Sequence, residues 1–243
     1  MESKKNKFGM VYIVGAGPGD LELITVKGFN ILKKADVVLY DFLSSLGFLK
    51  FVPQRCEKIC VGKSDGFHIL EQKKINQLLF EKAKEHEVVV RLKSGDPFVF
   101  SRGIEEARFL KNKGVNYEII PGVTTAFAGP VSFGIPLTVK DKIQSVAVIT
   151  GRKKYKNADI YAPKPHNGTI VYLMAVSNIA NIVKALINAG WEKSTPCAFI
   201  ENATKKNERL IKGTIAVIEK SALKNKVVSP SVLVVGEVLK YRV

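Results

Sequence analysis

The chain has 243 residues, with 38 lysines and arginines against 22 aspartates and glutamates, a formal net charge of +16 and 46% hydrophobic residues. That length holds one large α/β domain or two of about 120 residues each. No apolar run reaches the roughly 18–20 residues of a membrane span, and the lysine-rich start, Met1–Lys7, has no signal-peptide core behind it.

These features predict a cytoplasmic protein with a short disordered leader over residues 1–7 and no membrane association. The positive charge calls for an acidic partner without saying which one. Cys56, Cys60 and Cys197, with His68, His86 and His166, are too scattered for a ligand set. No metal and no disulfide are expected.

In chain order, Met10–Val14 is a short apolar strand that enters the glycine loop Gly15–Asp20. A helix is predicted over Leu23–Lys34, then a strand over Asp36–Tyr40 that ends at Asp41. An irregular region follows, and then an amphipathic helix over Ile69–His86. Val88–Leu92 is a strand running into Ser94-Gly95-Asp96-Pro97, with a helix over Ile104–Lys113 and a strand over Val115–Ile120 after it. Alternating apolar strands and helices predict a largely parallel sheet covered on both faces.

Pro121-Gly122 is the predicted boundary, giving domains over residues 8–121 and 122–243. Val123–Phe133 reads as helical. Strands are predicted at Ser145–Thr150, Thr169–Met174, Pro196–Glu201, Leu210–Ile218 and Val232–Val235, with one clear helix, Asn178–Ala189. Tyr155–Asn167 reads as a polar loop. More strands per helix predicts a mixed sheet with antiparallel pairs.

Three segments could carry chemistry. The Gly15–Asp20 loop lacks the third glycine of a dinucleotide fingerprint, Pro18 removes a backbone donor, and Asp20 would repel a pyrophosphate. It suits close backbone approach to an uncharged or cationic ligand. Asp41 falls at the carboxyl end of a strand, where α/β sheets place ligand-contacting residues. The Ser94–Pro97 turn reaches the same edge, with Arg91, Lys93 and Arg102 beside it, and arginine suits forked carboxylate recognition. A covalent nucleophile set and an ATP-binding loop are both missing. By motif and composition alone, the chain is an α/β enzyme acting on a small acidic molecule.

The blocks VYIVGAGPGDLELIT (11–25), ADVVLYD (35–41), VGKSDGFHILEQKKIN (61–76), VVVRLKSGDPFVFSRGIEEA (88–107), IIPGVTTAFAGPVSFGIPLTVKD (119–141) and TIVYLM (169–174) together resemble the tetrapyrrole methylase family. Weaker likeness continues through 196–204 and 230–238, so the resemblance spans nearly the whole chain. It implies a two-domain α/β fold with the active site in an interdomain cleft, the substrate on the N-terminal side and the cofactor on the C-terminal side, and a homodimer.

The cofactor it implies is S-adenosyl-L-methionine, leaving S-adenosyl-L-homocysteine, with contacts carried onto Pro18, Ser94, Gly95, Asp96, Val99, Thr124, Thr125, Met174 and Ala203. Proton transfer falls on Asp41 as acceptor and Lys63 as donor. Arg91, Lys93, Arg102 and Lys140 are candidates for contacting an acidic tetrapyrrole. The implied reaction methylates two ring carbons of uroporphyrinogen III to give precorrin-2. Departures at Ser64, Ser94, Ser101, Ile104 and Val139 from the family's usual residues keep a later precorrin as the alternative substrate. A basic nucleic-acid-binding protein is a remote alternative, since no binding motif accompanies the charge.

Overall fold

The computed structural model describes residues 7–41, 46–62, 70–152 and 159–243. The chain forms two compact units, Met1–Thr124 and Thr125–Val243. Most of the expected leader lies outside the described residues, as do Lys63, His68 and the start of the predicted polar loop.

The first unit is built on five parallel strands: β1 (Met10–Gly15), β2 (Val37–Tyr40), β3 (Glu57–Cys60), β4 (Val88–Lys93) and β5 (Tyr117–Ile120), in the order β3-β2-β4-β1-β5. Strand residues alternate between two buried faces, as the period of two requires. Val11, Ile13, Val37, Leu39 and Val89 pack under helices α2 (Gln72–Glu85) and α3 (Gly103–Asn112), against Ile75, Leu79, Ala107 and Leu110. Val14, Val38, Val90 and Leu92 pack on the other face against Leu32 of α1 (Val26–Leu32) and Phe48 of the 3-10 turn Leu46–Lys50. Thr25 caps α1, its hydroxyl accepting the Gly28 N–H at 3.2 Å.

The second unit carries β6 (Ser145–Thr150), β7 (Gly168–Leu173), β8 (Pro196–Glu201), β9 (Arg209–Thr214) and β10 (Ser231–Val235), in the order β6-β7-β10-β8-β9. Only β6 and β7 pair in parallel; the other three pairings are antiparallel. Ile170, Tyr172, Phe199 and Leu233 face α5 (Ile179–Asn188) and α6 (Ile218–Lys224). Val171, Ile200, Val232 and Val234 face Ala126 of α4 (Thr125–Ser132).

Three expectations are corrected. The predicted helix over Leu23–Lys34 is split into a 3-10 turn, Leu21–Leu23, and α1. The region after Asp41 contains β3, an edge strand paired only to β2 among the described strands. The strand predicted to run to Ile218 stops at Thr214, and Ile218 instead begins α6. Among the described residues no helix is long and apolar enough to cross a membrane.

Candidate active site

In the first unit, the carboxyl ends of β1, β4 and β5 are held together through backbone. The Ala16 N–H donates to the Lys93 carbonyl at 2.7 Å, and Gly17 and Gly95 exchange N–H···O bonds of 3.2 and 2.8 Å. A Cβ on Gly15 would stand 2.6 Å from Gly122 Cα and from the Gly95 carbonyl oxygen, and one on Gly122 would stand 2.2 Å from that oxygen. Only hydrogen fits at Gly15 and Gly122, so the loop after β1, the turn after β4 and the segment after β5 form one rigid seam.

Asp96 locks the seam, accepting the Phe98 N–H at 2.8 Å and the Gly122 N–H at 3.0 Å. Gly95 is left-handed at φ +63°, with open space where a Cβ would stand, and Ser94 is exposed. A ligand can therefore approach this backbone closely. Pro18 is half-buried in the first loop, and Val99 is half-buried beyond the turn. The Asp20 carboxylate caps the following 3-10 turn through the Glu22 N–H at 2.9 Å.

Beside the seam lies a buried ionic network. Asp41 follows β2 directly, with its side chain 30% exposed, and its Oδ1 accepts from Arg91 Nη2 at 2.7 Å. Strand alternation turns Val89, Arg91 and Lys93 to the α3 face. There Arg91 Nε and Lys93 Nζ donate to Glu106 Oε1 at 3.1 and 3.2 Å. Arg91 Nη1 also reaches the carbonyls of Leu92 and Leu39 at 3.1 and 3.4 Å.

Burial opposes the Arg91 charge, but Glu106 and Asp41 override it and hold the guanidinium pKa above its ordinary value. For Lys93 the balance reverses. Burial, then repulsion from Arg91, pushes its pKa down against the pull of Glu106 and Asp41.

The expected substrate-facing cations thus divide. Arg91 and Lys93 are buried and committed to carboxylates, where the sequence placed them at an open edge. Arg102 is exposed and forked onto Glu105 at 2.8 and 2.6 Å. Lys140 is exposed in the Val139–Ile143 turn of the second unit. Lys63 lies outside the described residues.

In the second unit, Met174 and Ala203 mark one end of the sheet, after β7 and β8. Met174 follows β7 at φ +56°, and buried Ala203 sits between Asn202 at φ +51° and Thr204 at φ +66°. Left-handed backbone costs a non-glycine residue about 1–2 kcal/mol, and such strain concentrates at ligand sites. Thr125 opens α4, whose Gly129 lies over Val232 and Ala203. Thr124 is the half-buried last residue of the first unit.

Sequence reasoning missed Glu106. Its signal was the spacing of Gly103, Glu106, Ala107 and Leu110, the buried stripe of α3. The left-handed residues after β7 and β8 carried no such signal, because no glycine marks them.

Comparison with known proteins converges on one family. The family model for tetrapyrrole (corrin/porphyrin) methylases matches residues 10–219. The uroporphyrinogen-III C-methyltransferase of Methanocaldococcus jannaschii is 48% identical over 236 residues, covering 95% of this chain and 97% of that protein. The porphyrin biosynthesis protein HemD of Ruminiclostridium josui is 44% identical over 234 residues, but the chain spans only 46% of its length. Among solved structures, the uroporphyrin-III C-methyltransferase of Thermus thermophilus, complexed with S-adenosylhomocysteine, superposes with a TM-score of 0.80. It is 37% identical, with 96% of this chain and 94% of that one covered.

Proposed function

The chain belongs to the tetrapyrrole (corrin/porphyrin) methylases, and from that premise we propose that it transfers methyl groups from S-adenosyl-L-methionine to two ring carbons of uroporphyrinogen III, giving precorrin-2. The observation that carries this reading is the near-full-length match to the M. jannaschii enzyme. The same reading expects a homodimer working in the cytoplasm, with cofactor contacts contributed by residues of both units.

The residues present suit the cofactor. Exposed Ser94 and the open space at Gly95 leave room against backbone. The loop at Pro18 makes no phosphate cradle, and a sulfonium needs none. Pro18, Ser94, Gly95, Asp96, Val99, Thr124, Thr125, Met174 and Ala203 would hold it. When bound, S-adenosyl-L-methionine supplies an electrophilic methyl group that an electron-rich pyrrole carbon can accept directly, leaving S-adenosyl-L-homocysteine.

The chain's own residues then orient and handle protons. Asp41, partly exposed and steadied by Arg91, accepts a hydrogen bond or a proton from the macrocycle. Lys63 is the proton donor carried over from the family pattern. Exposed Arg102 and Lys140 offer charge to the substrate carboxylates, while Arg91 acts on Asp41 and Lys93 on Glu106 rather than on substrate. Alignment of the reacting atoms can contribute roughly 7–11 kcal/mol of barrier reduction, so no protein nucleophile is needed.

The test is anaerobic incubation with uroporphyrinogen III and labelled S-adenosyl-L-methionine, followed by product mass. Gain of two methyl groups is expected. Cofactor binding without transfer would move the activity to a later precorrin.

A further inference from the structure

Glu106 sits where it can govern the proposed proton acceptor. It is fully buried, and its Oε1 accepts from Gln72 Nε2 at 3.1 Å as well as from Arg91 and Lys93. Its Oε2 is buried with no hydrogen-bond partner among the described residues. Gln72 is held in turn by Asn76 Oδ1 at 2.8 Å. Arg91 therefore lies clamped between two carboxylates, its Nε on Glu106 and its Nη2 on Asp41.

A guanidinium is a rigid planar fork. Fixing its Nε end fixes the direction in which Nη2 points. The carboxylate that holds Nε thereby sets where the Asp41 oxygen rests at the end of β2.

Stability alone accounts poorly for this arrangement. An apolar residue on α3 would fill the space without burying an unsatisfied oxygen, which costs about 1–3 kcal/mol. Buried ion pairs are in general weak sources of stability, and in some proteins they specify geometry instead. The charged groups around Glu106 are Arg91 and Lys93 from β4 and, more distantly, Arg102 ahead of α3; α2 contributes neutral Gln72 and Asn76.

We propose that Glu106 is a positioning residue for the methyl transfer, orienting Arg91 and through it the Asp41 carboxylate. This deepens the reading above and rests on Asp41 acting in the reaction.

The test begins with Glu106→Gln, which removes the charge and keeps the shape. Turnover should fall about tenfold with the KM for S-adenosyl-L-methionine unchanged, because a small misplacement of a catalytic group is expensive in rate. Glu106→Asp should recover part of the loss. Stranding two buried cations can prevent folding, so a charge-balanced second variant, Glu106→Leu/Lys93→Met, keeps the question answerable. It leaves Arg91 with Asp41 and the Leu39 and Leu92 carbonyls but nothing on Nε, and should fold yet turn over about 100-fold more slowly.

A second readout needs no substrate. In 15N-arginine spectra, assigned with Arg91→Lys, the Arg91 guanidinium should be more rotationally restricted in the wild type than in the Glu106→Gln and Glu106→Leu/Lys93→Met variants, most of all about Nε in the double variant. A wild type that binds cofactor but transfers no methyl would defeat the functional reading and leave the spectra to judge Glu106. A folded double variant with wild-type turnover, or Arg91 signals unchanged without Glu106, would overturn the proposal.

Discussion

The two units bury their titratable groups differently. The first inserts Arg91, Lys93 and Glu106 into its interior, as ions that neutralise one another beneath the edge where Asp41 emerges. The second buries one ion, Glu201, paired to half-exposed Arg209 at 2.6 Å, and otherwise groups that stay neutral. Burial pushes the Cys197 thiol up to about 12, and burial likewise raises Tyr172, whose hydroxyl donates to the Tyr161 carbonyl at 3.0 Å.

Net charge divides the other way. The first unit has 20 basic against 15 acidic residues and the second 18 against 7, so +11 of the +16 falls on the second. The difference teaches a division of labour. One sheet supports a precise ionic geometry suited to proton handling, while the other supplies a largely apolar scaffold, strained backbone after β7 and β8, and a positive surface.

The comparison can be broken first at the seam. Gly15→Ala or Gly122→Ala forces a Cβ onto backbone atoms that cannot swing aside. Either should lose about 3 kcal/mol of stability, seen as a lowered melting temperature of the first unit. An unchanged melting temperature would show that the seam is soft.

Alkaline pH sharpens the contrast from the second unit. The Cys197 pKa is raised by folding from 9.0 to about 12. The unfolded thiol therefore ionises first, and the folded state loses stability as pH rises above 9. At pH 10.5 this amounts to on the order of 2 kcal/mol. Cys197→Ala should flatten the decline of stability between pH 9 and 12, measured by denaturant titration. An unaltered slope would remove Cys197 from the account.

Met174→Gly should relieve left-handed strain and raise stability by about 1 kcal/mol, while weakening cofactor affinity measured by calorimetry. Equal affinity would separate the strained backbone from binding. The smallest effect expected is ionic. If the second unit's charge attracts the polycarboxylate substrate, its KM should rise a few-fold from low salt to 0.5 M, where the screening length falls to roughly 4–5 Å. A salt-independent KM would leave the charge as ordinary solvated surface.

The sequence made the strands of the parallel sheet legible because buried strands read as apolar runs, as in Val37–Tyr40 and Val88–Val90. It hid β3, whose Glu57-Lys58-Ile59-Cys60 is half charged and lies at an edge. It blurred β9 into α6 because Thr214, Ile215 and Val217 are β-branched and extend the strand pattern past its end.

At the site, Asp41 and the Ser94–Asp96 turn were visible as polar residues just beyond apolar strands. Arg91 and Lys93 were visible too, but their inward direction depends on the partner that α3 brings over them. Glu106 was masked by Glu105 beside it, since a pair of glutamates reads as a solvated helix face. Met174 and the Asn202–Thr204 corner owe their backbone conformation to packing after the strands, which local composition does not encode.

The most direct measurement is anaerobic turnover of uroporphyrinogen III by Asp41→Asn beside the wild type, with S-adenosyl-L-homocysteine affinity measured on both proteins. Loss of an acid–base group typically costs 10²-fold or more in rate. The account predicts two methyl groups added by the wild type, a loss of at least about 100-fold in the variant, and equal affinities. Equal turnover by the variant would contradict it and make Asp41 a bystander to the chemistry.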